Sequence, residues 1–199
     1  FRAGLAEIAK IFLAFDREAW AQLLRDGKAL RGRDMVATER HLRAAIAWKA
    51  RVVAADPRET AAMDQPLARA KLNLGHTFGH AVEAACQFSV PHGEAVGLGL
   101  CAEAAWAHKF AGLGADDCKQ VQAGLAALGL NTAWQAYATA ETLVRTRADK
   151  KMRGRQLRLP VLVRLGDATL ADVDRDEWQA QVTQAAAGVA TQAVSPWRI

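Results

Sequence analysis

The sequence predicts a mainly α fold, a multi-helix bundle carrying one small β-hairpin. Three observations point there. Apolar residues recur at helical spacing from the first residues to about Asp149, and prolines number only five in an alanine-rich chain, which favours helix. Near the C-terminal end the period drops to two: Leu157, Leu159, Val161, Val163 and Leu165 alternate with Gln156, Arg158, Pro160 and Arg164, the mark of a strand. Strands and helices do not otherwise alternate, so a parallel sheet is not expected.

Taken in order, residues 4–14 form a helix with Leu5, Ile8 and Phe12 at helical spacing and Glu7 and Lys10 on one face. Asp16 caps a second helix to about Asp26, which Gly27 ends. A long third helix occupies about 35–54, where Leu42, Ile46, Lys49 and Val53 share a stripe. Lys49 thus sits among apolar neighbours, where a lysine can snorkel. Residues 55–68, with two prolines and mixed charge, read as a loop. A fourth helix covers about 70–86 and a fifth runs from Pro91 or His92 to about 112. Gly97 and Gly99 weaken that fifth helix by about 1 kcal/mol each relative to alanine; close approach of another backbone rationalises them. Helices at about 115–128 and 139–149 follow, then the hairpin strand, the turn Gly166-Asp167, a partner strand around 168–173 and a last helix at about 174–186. The domain therefore spans 1–186, and 187–199 forms a C-terminal tail that packs loosely.

At 199 residues, 51% hydrophobic and 24% charged, the chain suits one globular core. No stretch approaches a membrane span of about 20 apolar residues, and the opening FRAGLAEIAK lacks a cleavage-site pattern. Cys86, Cys101 and Cys118 are odd in number and form no CxxC pair, so they read as thiols of a reducing compartment, and a cytoplasmic protein is expected. The net charge of +5 suits an anionic substrate, but the basic residues are scattered, which does not favour nucleic acid. The chain starts at Phe1 and enters a helix at once, suggesting a fragment, a processed product or the tail of a longer protein.

The chemistry concentrates in LNLGHTFGHAVE, Leu72 to Glu83, and in His92-Gly93-Glu94. His76 and His80, at i and i+4, project from one helix face, and Glu83 continues it. A short loop then delivers His92. Imidazoles and carboxylates in this pattern suit a zinc-like divalent ion. His76 is followed by Thr77-Phe78-Gly79 rather than the glutamate of HExxH, so peptide hydrolysis is not indicated. Gly75 and Gly79 leave space beside His76, as an open site needs. Arg69, Lys71 and Asn73 enter the same helix and suit phosphate or carboxylate oxygens. Glu7 and Lys10 offer a carboxylate ligand and a cation; taken alone they read as an exposed intrahelical pair.

LNLGHTFGHAVE followed by HGEAV resembles the signature of the 3-dehydroquinate synthase family, within the sugar-phosphate cyclase group. GLAEIAK, KARVVAADPRE and RADKKMRG extend the resemblance in order along the chain, although the loop around Thr60 to Pro66 is longer than the family pattern. The resemblance implies the C-terminal metal- and substrate-binding domain, with the family's N-terminal NAD-binding domain absent from this chain. It implies Glu7, His76 and His92 as ligands of a divalent metal (Zn or Co), and His80 at the substrate phosphate. Lys10 falls near the reacting hydroxyls, Lys49 and Arg69 at the substrate carboxylate, and Asn73 with His80 and Lys150 or Lys151 at the phosphate. Glu59 matches an active-site acid. The implied reaction is metal- and NAD-dependent conversion of 3-deoxy-arabino-heptulosonate 7-phosphate, a phosphorylated keto acid, to 3-dehydroquinate and phosphate in the shikimate pathway, by a homodimer. The alternatives are another sugar-phosphate cyclase, a glycerol dehydrogenase-like enzyme, or a non-enzymatic helical module with a structural zinc. Lys10, Lys49, Arg69 and Lys150 argue against the dehydrogenase, which needs no clamp for two anionic ends.

Overall fold

Two helices form the centre of the molecule, α1 (Arg2–Phe15) and α6 (His92–Phe110), packed against each other. The computed structural model describes residues 1–146, 152, 153 and 155–188. In α1 an unbroken run from Leu5 to Ala14, Glu7 apart, is buried. In α6 burial extends around the whole helix from Ala95 to Ala104, as expected of a helix with neighbours on all sides. Those neighbours are α1, α5 (His76–Ala85), α7 (Ala115–Ala127), α9 (Arg175–Ala186) and the sheet. Close approach rests on glycine: a Cβ on Gly99 would overlap the carbonyl oxygen of Gly75. Gly97 by contrast meets only the Leu130 side chain, at an ordinary 3.7 Å.

The outer helices begin at aspartate caps. Asp16 accepts from the Ala19 amide at 2.9 Å to start α2 (Arg17–Arg25), as its position predicts. Gly27 does not end the path there. Asp26 closes α2 and Gly27 opens a short α3 (Gly27–Arg31). Asp34 caps α4 (Met35–Ala55) through the Ala37 amide. The stripe expected to face inward on α4 faces out: Leu42 is 47% and Ile46 58% exposed. The buried face is instead Ala37, His41, Ala45 and Val52. His41 tolerates burial because its Nε2 lies 2.9 Å from the Asp26 carboxylate, and Trp48 stacks on Phe15 while donating to Asp16. Lys49 accordingly lies on the exposed side of α4.

The expected helix over 70–86 is two pieces. A 3-10 turn, Arg69–Asn73, ends at Leu74; Gly75 adopts φ 78°, which favours glycine, and α5 starts afresh at His76. A further 3-10 turn (Trp134–Tyr137) and α8 (Ala140–Arg145) lead to a three-stranded antiparallel sheet, β1 (Met152–Arg153), β2 (Gln156–Arg164) and β3 (Asp167–Asp174). The β2–β3 hairpin follows the expected alternation through Leu157 and Leu159, but Pro160, expected to face out, is buried along with Val161. A bulge between Leu162 and Arg164 then buries Leu162 and leaves Val163 half-exposed. The hairpin is tied to α1 by the Gly166 amide on the Leu13 carbonyl, and both its strands pack against the 3-10 turn that carries Arg69 and Asn73. The described residues thus form a helical bundle with a small sheet, as predicted; most of the tail over 187–199 lies outside them. No helix among them is long and apolar enough to cross a membrane.

Candidate metal centre and anion pocket

Glu7 and Lys10 leave α1 on the side facing α5. They are not a surface pair: Lys10 is buried, and its ammonium donates to Glu7 Oε2 at 2.8 Å. Burial works to raise the Glu7 carboxyl, but Lys10, His76 and His92 outweigh it and hold the group below the usual carboxylate range. Its other oxygen, Oε1, is buried and has no hydrogen-bond partner among the described residues. An orphaned carboxylate oxygen of this kind is costly unless something cationic meets it.

Two imidazoles face that oxygen. His76 Nε2 lies 3.7 Å from it and His92 Nε2 3.6 Å. Each ring has its Nδ1 engaged elsewhere, His76 on the Leu74 carbonyl at 3.2 Å and His92 between the two oxygens of Glu83, both at 3.1 Å. An Nδ1–H donated to an acceptor leaves the Nε2 lone pair for a ligand. Burial, then the Lys10 charge, pushes the His76 imidazole down to about 3, so the ring is neutral at ordinary pH. His80 joins from one turn along α5: its ring centroid is 5.1 Å from His76 and 5.8 Å from His92, and one nitrogen of each of the three histidines lies within 4.8 Å of the others. The donors fit a zinc-like ion, either as Glu7, His76 and His92 or as the three histidines.

The first turn of α5 is held by an acid that the sequence pattern did not single out. Glu103, buried in the middle of α6, accepts from the Gly75 amide at 2.7 Å and the Phe78 amide at 3.3 Å. A carboxylate at a helix N-terminus satisfies free amides and complements the helix dipole. Its only signal was a lone acid in the apolar run LGLCAEAAWA. The glycines around His76 have a different use from the one expected. A Cβ on Gly75 would come within 2.9 Å of Leu100, and one on Gly79 within 3.0 Å of the Ala95 carbonyl. The space beside them is filled by α6.

Beside the metal donors opens a cavity of about 250 Å³, walled by Glu7, Lys10, Lys49, Glu59, Arg69, Asn73 and His76. Seven predicted site residues therefore meet in one place. The long loop after α4 is organised by Asp56, whose carboxylate accepts from the amides of Thr60, Ala61 and Arg69. Those bonds, led by that of Arg69, hold its carboxyl below the usual range despite burial. Glu59 then sits at φ 56°, accepts from Asn73 Nδ2 at 3.2 Å and lies 4.0 Å from Arg69 Nε, while Arg69 also donates to the Pro57 carbonyl. Two residues do not join. Lys71 is buried and turned toward the Pro66 carbonyl, and it is absent from the cavity wall that Arg69 and Asn73 share. Glu94 pairs with Arg2 instead of the metal donors. Lys150 and Lys151 lie outside the described residues.

Two histidine-bearing helices and a carboxylate from a third bring together a donor set that fits a divalent ion, beside a cavity whose wall carries Lys10, Lys49 and Arg69 as well as Glu7 and Glu59. The chain belongs to the 3-dehydroquinate synthase family: residues 4–152 match the family described as 3-dehydroquinate synthase C-terminal. It is 33% identical over 186 residues to the 3-dehydroquinate synthase of Idiomarina loihiensis, covering 92% of this chain and 50% of that protein. Against the enzyme of Halorhodospira halophila it is 39% identical over 171 residues, with 85% and 47% covered. The chain thus spans about half the length of the curated relatives it matches. Among solved structures, the fold is similar to a Streptomyces hygroscopicus 2-epi-5-epi-valiolone synthase with NAD+ and Zn2+ bound, at TM-score 0.69 and 24% identity, covering 94% of this chain and 51% of the other. A 2-deoxy-scyllo-inosose synthase complexed with carbaglucose-6-phosphate, NAD+ and Co2+ gives TM-score 0.65 and 20% identity, covering 92% and 51%.

Proposed function

We propose that this chain is the metal- and substrate-binding half of a 3-dehydroquinate synthase, acting on 3-deoxy-arabino-heptulosonate 7-phosphate with a divalent metal and NAD. The observation that carries the reading is Glu7 Oε1, buried, without a hydrogen-bond partner and facing Nε2 of both His76 and His92, beside a cavity that also carries Lys10, Lys49 and Arg69. Glu7, His76 and His92 hold the metal, which is zinc or cobalt, and His80, on the exposed side of α5, reaches the substrate. When bound, the metal polarises the substrate hydroxyl that is to be oxidised.

The remaining work belongs to the side chains. Lys10 keeps Glu7 ionised and stands beside the reacting hydroxyls, where its ammonium stabilises developing negative charge. Lys49 and Arg69 take the substrate carboxylate, and Asn73 with His80 takes the phosphate, so the two anionic ends fix the reacting carbons. Glu59 occupies the Arg69 and Asn73 groups in this structure, and an anionic substrate displaces that pairing. The presence of both Arg69 and Asn73 on the cavity wall favours the dehydroquinate substrate over those of other cyclases. NAD is held mainly by a part of the enzyme outside these 199 residues, so these residues by themselves do not turn over. A cytoplasmic homodimer completes the proposal.

The test is metal and anion binding by single variants. His76→Ala and His92→Ala abolish Zn2+ and Co2+ binding, measured by Co2+ absorption and Zn2+ competition. His80→Ala retains the metal but weakens binding of inorganic phosphate. Equal loss of metal in all three variants overturns the ligand assignment in favour of the three-histidine set.

A further inference from the structure

We infer that Glu83 is a positioning residue for His92, fixing which imidazole nitrogen faces the metal; this rests on the metal reading above. Glu83 stands on α5 one turn beyond His80, and His92 is the first residue of α6. The two helices are joined by a short loop, so the end of one lies against the start of the other. Both carboxylate oxygens of Glu83 converge on a single atom, His92 Nδ1, at 3.1 Å each. The Glu83 side chain is only 13% exposed, whereas that of His92 is 48% exposed and would otherwise be free to rotate.

Three consequences follow from that contact. It assigns the proton to Nδ1, because a carboxylate only accepts. In the neutral ring it therefore leaves a lone pair on Nε2, the nitrogen that lies 3.6 Å from Glu7 Oε1. It also places a negative charge behind the ring, which makes Nε2 a stronger donor to a cation. His76 receives the equivalent service from a neutral carbonyl, that of Leu74. The two histidine ligands are thus unequal, and Glu83 supplies the charged support.

The experiment has two arms on the same 199-residue chain. In the metal-free chain, long-range ¹H–¹⁵N spectra report which nitrogen of His92 bears the proton. With the pH raised until the ring is neutral, wild type shows Nδ1–H, and Glu83→Ala shows a mixture with Nε2–H. In the second arm Zn2+ affinity is measured by competition with a chelating dye: Glu83→Ala weakens it about 10–100-fold, and Glu83→Gln, which keeps an acceptor oxygen but no charge, falls between. Unchanged circular dichroism and melting temperature show that the variants fold. Glu83→Ala binding Zn2+ within about twofold of wild type, or a wild-type proton on Nε2, overturns the inference. A wild-type chain that binds no Zn2+, or a His76→Ala chain that binds it equally well, overturns the metal reading instead.

Discussion

Acidification should destabilise the metal-free chain through His76 in particular. Burial first, and the Lys10 ammonium second, push this imidazole from an ordinary 6.5 down to about 3. The unfolded chain has no such environment, and there the ring returns to about 6.5. Above that pH both states are neutral at this position and His76 adds nothing to the pH dependence. Below it the unfolded state takes up a proton that the folded state refuses, so stability falls by about 1.4 kcal/mol per pH unit until about pH 3. Between pH 6.5, where the unfolded ring is already half protonated, and pH 4.5 the loss is about 2 kcal/mol. At a urea slope of about 1–3 kcal/mol per molar, the midpoint drops by about 1–2 M. The assay is urea unfolding followed by tryptophan fluorescence at the two pH values, on wild type and His76→Asn. The depressed carboxyls of Asp26 and Asp56 also lose stability on acidification and are common to both chains, while Glu7 keeps Lys10 and His92 in the variant and loses only the part that His76 supplies. The asparagine variant should lose clearly less than wild type over this interval. An equal loss in both chains would refute a neutral, buried His76.

Two further outcomes test the packing that sets the site. Gly99→Ala drives a methyl into the Gly75 carbonyl and should cost at least about 3 kcal/mol, a melting-temperature drop of about 6–12 °C, while Gly97→Ala, which meets only Leu130, should be neutral or stabilising. Glu103→Ala leaves the Gly75 and Phe78 amides without their buried acceptor; calorimetry should show a loss of about 2–5 kcal/mol, and the Zn2+ affinity should fall with it because His76 rides on that turn.

How far the sequence could be read depended on whether the deciding contact was local. Asp16 as a cap, the ends of α4, α6 and α9, and the turn at Gly166 all follow from neighbours within a few residues. The orientation of α4 did not. Its two faces, Leu42–Ile46 and His41–Ala45–Val52, have the same spacing, and the more apolar one points outward because Asp26 and Asp16 give His41 and Trp48 partners inside. The break at Gly75 was hidden because its cause is a backbone on α6. The same limit applied to the site. That Lys10, Lys49, Glu59, Arg69 and Asn73 would gather was legible, since they meet at one cavity, and their roles are part of the proposal. The services of Glu83, Glu103 and Asp56 were not, since each acts on atoms brought near only by folding.

The position of Glu7 has a consequence for how the domain holds together. A cation gripped by Glu7, His76 and His92 would fasten the first helix to the middle of the chain, closing a loop of roughly seventy residues. In the unfolded chain such a closure is entropically costly, and a bond that survives only in the folded state acts as a reversible staple, comparable in kind to a disulfide. Metal supply would then govern the lifetime of the folded domain as well as its chemistry, and a chelator would loosen the contact between α1 and α6 on which the whole bundle is centred.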